Sequence, residues 1–169
     1  MCRSRIAVLC LTLALAMLQL PLLMAQSKPT VAPDAPVPGQ ILSAKKIFIA
    51  NAGGDEQSAQ LFSGEPDRAY NQLYAALKAW GRFQIVGSPS EADLLLEIRQ
   101  NASPVPQFRL KLRDPGTNAL LWGFNLYIDL GMGRANSDRN FDQAVDRLVN
   151  DLRALVARAQ PVAARGVTP

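Results

Sequence analysis

Two stretches near the middle of the chain place an apolar residue at every second position, and in the first of them all the positions between are polar. The first covers 107–113 and the second covers 120–128, and the sequence Asp114-Pro115-Gly116-Thr117-Asn118 separates them. A period of two is the geometry of a β-strand with one buried face, and Pro, Gly and Asn are typical of tight turns. The pattern therefore predicts an antiparallel hairpin, and its apolar face is Phe108, Leu110, Leu112, Leu120, Trp122, Phe124, Leu126 and Ile128.

The same alternation limits how the two strands can pair. Apolar residues face each other only if paired residue numbers sum to an even number, because a slip of one residue would turn every side chain to the opposite face. Leu112 then pairs with Leu120 or with Trp122. We therefore expect an odd-length loop of five residues with Gly or Asn near the left-handed conformation.

The rest of the chain supplies three more strands and two helices. Apolar and β-branched runs predict strands at 45–51, 82–87 (a short edge strand) and 92–100. Helical spacing predicts one helix from Glu65-Pro66-Asp67 to Gly81, and a second that begins near Ser137 or Asp138. The order β-α-β-β-β-β-α predicts an α+β fold, with a single mixed, largely antiparallel sheet of about five strands and two helices packed on one face.

The N-terminal segment predicts export. Basic residues, a long apolar run and small residues follow one another over 1–25, which is typical of a secretory signal peptide cleaved after Ala25 or Ser27. We expect a Pro-rich linker over 26–40, the α+β domain over 41–159 and a flexible tail over 160–169. The protein would then be periplasmic or secreted. The alternative is an uncleaved N-terminal helix that anchors the chain in the membrane.

Composition argues against several classes of function. The chain has no histidine, and its two cysteines, Cys2 and Cys10, lie in the signal segment. A histidine general base, a thiol nucleophile and the usual zinc ligands are therefore missing from the exported part, so we expect no enzyme activity, no metal and no cofactor. The net charge of +4 falls to +2 without Arg3 and Arg5, which gives no reason to expect a nucleic-acid partner.

The long segment 51–64 is the first candidate site. Its residues Gly53, Gly54, Asp55 and Glu56 could present backbone amides or carboxylates to a ligand or cation, whereas the simpler interpretation is a flexible connector. The second candidate is a basic stripe of Arg109, Lys111 and Arg113, with Tyr127 on the same sheet face. This stripe could bind an anionic lipid or glycan. The simpler interpretation is cross-strand pairing with Glu97, Asp93 or Asp129.

Two further interpretations concern carboxylates and glycines. A carboxylate-dependent hydrolase could use Asp55 with Glu56 or Asp93 with Glu97, but such closely spaced groups do not flank a substrate cleft. The sequence Gly131-Met132-Gly133-Arg134 could hold an anion at a helix start, although a strand-to-helix turn needs glycines in any case.

The sequence also resembles a family. The segments ALKAWGRFQIV, SPSEADLLLEI, FRLKLRDPGTNALLW and FDQAVDRLVNDL resemble uncharacterised exported bacterial envelope proteins and are similar in pattern to TolB amino-terminal-like and curli-secretion-lipoprotein-like α+β domains. The motif positions are Ala92-Asp93, Asp114, Thr117 and Trp122. The chain lacks a lipid-attachment cysteine at the end of the signal segment. The resemblance implies an interaction or assembly module of the cell envelope, with another envelope protein as partner and at most peripheral membrane contact.

Overall fold

A computed structural model describes residues 35–64 and 66–158. The predicted signal segment with its cleavage sites, residues 26–34 of the predicted linker, the predicted tail and Glu65 lie outside the described residues.

The described chain forms five strands and four helices. The strands are β1 Lys46–Gly54, β2 Gln84–Ile85, β3 Leu94–Asn101, β4 Gln107–Arg113 and β5 Leu120–Tyr127. The helices are α1 Gly39–Ser43, α2 Glu56–Leu61, α3 Arg68–Trp80 and α4 Arg134–Arg158. A short 3-10 turn at Pro89–Glu91 precedes β3. The predicted α+β class with one five-stranded sheet is confirmed.

The strands lie in the order β2-β1-β3-β4-β5. Strand β1 is parallel to β2 and to β3, whereas β3–β4 and β4–β5 are antiparallel. The sheet is therefore mixed, and the short second strand lies at its edge as predicted. The other edge is β5, which pairs only with β4.

The β4–β5 hairpin has the predicted side-chain parity as far as Leu112, and the register shifts between Leu112 and Arg113. Leu112 lies opposite Trp122, but Arg113 lies opposite Leu120, so Leu121 is an extra residue in β5. The bulge also changes the length of the loop. Asp114 N donates to Ala119 O at 3.0 Å, so the loop closes around residues 115–118 and is shorter than the expected five residues. In addition, the bulge turns Leu120 away from the apolar face on which it was predicted, and Leu121 packs against the core instead. Asn118 has a left-handed φ of 57°.

The core lies between the two long helices and one face of the sheet. The inward apolar residues of β3 and β4 are at most 1 % exposed and pack against the apolar stripes of α3 and α4. Phe141 of α4 lies at the centre of an aromatic cluster, with its ring centroid 4.8 Å from that of Phe108 and 5.1 Å from that of Phe62. Burial of the inward apolar residues drives the docking of the helices.

Two short helices were not predicted. Helix α1 begins within the stretch interpreted as linker and buries Ile41 completely. Helix α2 lies within the segment 51–64, which was expected to be a loop. Asp55 caps α2, since its carboxylate accepts from Ser58 N at 3.0 Å and from Ser58 Oγ at 2.7 Å. An aspartate followed by Glu56 and a buried Phe62 was the sequence signal for this helix.

Helix α4 begins about one turn earlier than predicted. Asn136 Nδ2 donates to Met132 O at 2.8 Å, and Ser137 Oγ donates to Gly133 O at 3.3 Å, so these residues lie in the first turn. Gly133 has a φ of 85°. A Cβ at Gly131 would lie 2.4 Å from Asn136 Cβ, so this position requires glycine. The glycines thus serve the close strand-to-helix turn.

Candidate functional site

The face of the sheet opposite the helices carries the predicted basic stripe. We call it the outer face and define it by the outward side chains of β3, β4 and β5. They are Leu95, Glu97, Arg99, Asn101, Gln107, Arg109, Lys111, Arg113, Leu120, Asn125 and Tyr127, of which Gln107 is buried. The structure thus brings all four predicted face residues (Arg109, Lys111, Arg113 and Tyr127) onto one surface.

Two of the three predicted basic residues are paired within the chain. Lys111 Nζ lies 3.6 Å from Glu97 Oε1, and Arg113 Nε lies 3.3 Å from Glu97 Oε2. Arg113 also donates through Nη1 to Asn118 O at 3.0 Å. Glu97 therefore pairs with both basic residues nearest the turn, which is the cross-strand pairing of the simpler interpretation.

Arg109 belongs to a different cluster. It lies directly opposite Arg99 across the β3–β4 ladder, and both side chains are exposed. Within residues 35–64 and 66–158, neither guanidinium has an ion pair or a side-chain hydrogen bond. We call Arg99 and Arg109 the arginine pair. Like charges directly opposite each other across two strands are unfavourable, so the pair costs stability in the free protein.

The arginine pair lies between exposed apolar groups. Asn125 is opposite Arg109 on β5, Tyr127 is 60 % exposed two residues further along, and Leu120 is 57 % exposed at the other end of the strand. Arginine and tyrosine with scattered apolar side chains are the residue types enriched at protein–protein interfaces. Arg99 was not among the predicted site residues, although it lies at an outward position of the predicted strand 92–100 and this alternation was a usable signal.

A cavity of about 330 Å³ lies under helix α2, at the end of the sheet where β1 and β3 finish. Gly54, Asp55 and Glu56 of the predicted loop site line it, and Gly53 does not. The other lining residues come from α2, the segment after it, β3, α3 and α4, and they are Ser58, Ala59, Phe62, Ser63, Gly64, Pro66, Arg68, Gln100 and Phe141.

The carboxylate of Asp55 is already engaged. Besides its two bonds from Ser58, it accepts from Ala102 N at 2.8 Å and so ties α2 to the end of β3. Burial acts to raise the pKa of Asp55, but the hydrogen bonds from Ala102 and Ser58 outweigh it and hold the pKa below its usual range. Glu56 is exposed at the rim, and Gly53 N donates to Asn51 Oδ1 at 2.9 Å with a φ of 73°.

The opposite wall of the cavity is held by Arg68. Its guanidinium lies 3.0 Å from Asp138 Oδ1 and 2.5 Å from Asp142 Oδ1, and its Cζ is 4.4 Å from the centroid of the Phe141 ring. The Ser63 N–H, together with Arg68, lowers the pKa of Asp138 against the opposing effect of burial. Arg68 is therefore a positioning group that joins α3, α4 and the segment after α2.

Gln100 is the polar residue of the cavity that sequence reasoning missed. It is 6 % exposed and follows Leu94, Leu96 and Ile98 on the inward face of β3. Its side-chain amide makes no hydrogen bond to any residue in the described part of the chain. A polar residue at an inward strand position was the available sequence signal.

The carboxylates suggested for hydrolysis have structural roles in this geometry. Asp93 accepts from Lys45 N and Lys46 N, both at 2.9 Å, and these bonds lower its pKa. Glu97 is held by Lys111 and Arg113. The lowered pKa values of Asp93 and Asp55 keep these two groups ionised near neutral pH, which is unsuited to a general acid. Among residues 35–64 and 66–158 there is no cluster of three or more metal-ligating side chains.

Comparison with known proteins gives similarity to solved structures only. No family model matches the sequence, and no curated protein does. One solved structure is a PelC dodecamer from Paraburkholderia phytofirmans, at 15 % identity and a TM-score of 0.44, covering 64 % of this chain and 87 % of that one. The LpoB C-terminal domain from Salmonella enterica has 14 % identity and a TM-score of 0.37, with 50 % and 82 % covered.

A third structure, uncharacterized lipoprotein B from Nitrosomonas europaea, has 12 % identity and a TM-score of 0.39, with 76 % of this chain and 94 % of that one covered. These three structures are of bacterial proteins, and one of them is named a lipoprotein. At these identities and TM-scores the likeness carries no conclusion about activity or partner. None of the helices in the described ranges is long and apolar enough to span a membrane.

Proposed function

We propose that this protein is an exported, non-catalytic interaction module that binds an acidic surface of another protein of the bacterial cell envelope through its outer face. The observation that carries the proposal is the arginine pair, Arg99 and Arg109, on a sheet face that the described helices leave open. A partner carboxylate would relieve the repulsion and accept bidentate hydrogen bonds from a guanidinium.

A protein partner fits this face better than a lipid or glycan surface. The charges are mixed, since Glu97 lies beside the arginine pair, and Tyr127 and Leu120 add exposed apolar area at both ends of β5. Flat surfaces rich in Arg and Tyr with local apolar patches are typical of protein interfaces. A membrane surface would instead favour a uniformly basic patch.

The test is site-specific photocrosslinking in cells, with a crosslinking amino acid at Asn125, which is exposed beside Arg109. We expect an adduct of defined mass that is lost in the R99Q/R109Q variant. The matched control is R139Q/R147Q, which removes the same charge from exposed positions of α4 and should keep the adduct. E97Q removes the negative charge beside the pair and should increase the yield.

Other outcomes would overturn the proposal. An adduct that is equally lost in both double variants would show a dependence on net charge rather than on this face. Sedimentation of the purified protein with phosphatidylglycerol vesicles, abolished by R99Q/R109Q, would support the lipid alternative instead.

A further inference from the structure

We propose that the cavity under α2 is a binding site for a small uncharged molecule that combines an apolar ring or branched alkyl group with a carboxamide or peptide amide. This proposal concerns a different part of the molecule from the outer face, so each can fail without the other.

The size and walls of the cavity fit such a ligand. Its volume of about 330 Å³ lies at the lower end of the range of small-molecule sites, about 300–1,000 Å³. The rings of Phe62 and Phe141, which are 4 % and 1 % exposed, provide aromatic walls. Ala59 and Pro66 extend the apolar lining. An apolar group in the cavity would therefore replace water against surface that is already shaped and held in place.

The polar requirement comes from Gln100. The residue is 6 % exposed and lines the cavity, and its side-chain amide has no hydrogen-bond partner in the described part of the chain. The amide nitrogen and oxygen are not sealed from solvent, so they are open to the cavity and offer a donor and an acceptor side by side. The complementary group is another amide, which presents an acceptor and a donor at the same spacing. The Ser58 hydroxyl oxygen, which donates its hydrogen to Asp55, can still accept.

The charges around the cavity argue for an uncharged ligand. Arg68 is already shared between Asp138 and Asp142, and Asp55 is satisfied by Ser58 and Ala102. With Glu56 at the rim, carboxylates outnumber cations among the lining residues and their partners, so a ligand anion would be repelled. Among the described lining residues, Glu56 is the one carboxylate left to pair with a ligand cation, and it is exposed to water.

The chain offers two informative variants and a control. Q100L replaces the unpartnered amide by an apolar group on the inward face, and we expect it to fold at least as stably as the wild type. G54V fills space: a Cβ at Gly54 would lie 3.6 Å from Gln100 Cβ and 3.8 Å from Ser58 Cβ, which is ordinary contact, and Gly54 has no positive φ. The control is G123A, because a Cβ at Gly123 of β5 meets nothing within 4 Å.

The experiment is a protein-observed NMR titration of the full-length protein with benzamide, N-acetylphenylalaninamide, toluene and benzoate. We expect saturable shifts of the Gln100 side-chain amide and of α2 with an amide probe, and weaker binding of benzoate. Q100L should weaken amide binding about tenfold and leave toluene binding unchanged or stronger. G54V should abolish the binding of both the amide probe and toluene, whereas G123A should leave both unchanged. A preference between the two amides distinguishes a free small amide from a peptide segment.

Three results would overturn the inference. The first is an absence of saturable shifts with either amide, which would leave the cavity to water. The second is equal affinity for benzamide and toluene in both the wild type and Q100L. The third is binding that survives G54V.

Discussion

At the scale of single residues, the arginine pair places two like charges opposite each other with no carboxylate partner in the described part of the chain. Glu97 forms ion pairs with Lys111 and Arg113 and not with Arg109. Charged residues placed opposite each other without compensation are a feature of binding surfaces, because the partner supplies the missing charge. The cost to the free protein is therefore measurable.

We expect R109Q to stabilise the isolated protein by about 0.2–1 kcal/mol at low salt, since it removes the repulsion from Arg99. The measurement is urea unfolding at low and high ionic strength, and the gain should shrink with added salt. K111Q is the matched control on the same strand and face. It loses its contact with Glu97 and should give no gain. Equal effects of the two substitutions would contradict a repulsive arginine pair.

At the scale of elements, helix α4 and strand β5 contribute unequally to the hydrophobic core. Phe141 of α4 is buried among Phe62, Phe108 and the Arg68 guanidinium, whereas Phe124 of β5 faces the helices but stays partly exposed. Strand β5 is at the edge of the sheet, so its inward side chains are covered from one side only. Phe141 thus lies at the centre of the core, and Phe124 lies at its margin.

We expect F141A to destabilise the protein by about 3–5 kcal/mol, because it removes a ring on which three other elements pack. F124A should cost only about 1–2 kcal/mol, in proportion to the smaller area that it buries. Denaturant unfolding of both variants gives the comparison. Equal losses would mean that β5 is as well packed as the centre of the sheet.

At the scale of the whole molecule, three carboxylates tie distant segments together through backbone amides, and a fourth holds a turn. Asp93 joins β3 to the start of β1, Asp55 joins α2 to the end of β3, and Asp138 joins α4 to the segment after α2. Asp114 closes the β4–β5 turn. In each case the net effect lowers the pKa of the carboxyl group. The charged form is therefore favoured by folding.

The pH dependence of stability follows from these shifts. A carboxyl group with a lower pKa in the folded state stabilises above its unfolded pKa of about 3.9, and this contribution is lost as pH falls through the folded value. No histidine is present, so we expect a flat free energy of unfolding between about pH 5 and 7 and a steep fall below about pH 4. D93N should be less stable at neutral pH and approach the wild type in acid. Parallel curves would contradict this role of Asp93.

Local sequence patterns were enough to predict the α+β class, the order of the strands and the two long helices, and the division of the sheet into an apolar and a charged face. These follow from periods of two and of about 3.6 residues, which are local properties of the chain. The sequence also placed Arg109, Lys111, Arg113 and Tyr127 on one face, because alternation fixes parity.

Which of those residues form an ion pair within the chain depends on tertiary contacts. Whether Glu97 reaches Lys111 or Arg109, and whether β1 runs beside β3, depends on register between strands that are distant in the sequence. Helix α2 and the cavity exist because Asp55 reaches Ala102 across 47 residues and Phe62 packs on Phe141. Such contacts are set by long-range packing, and no local pattern encodes them.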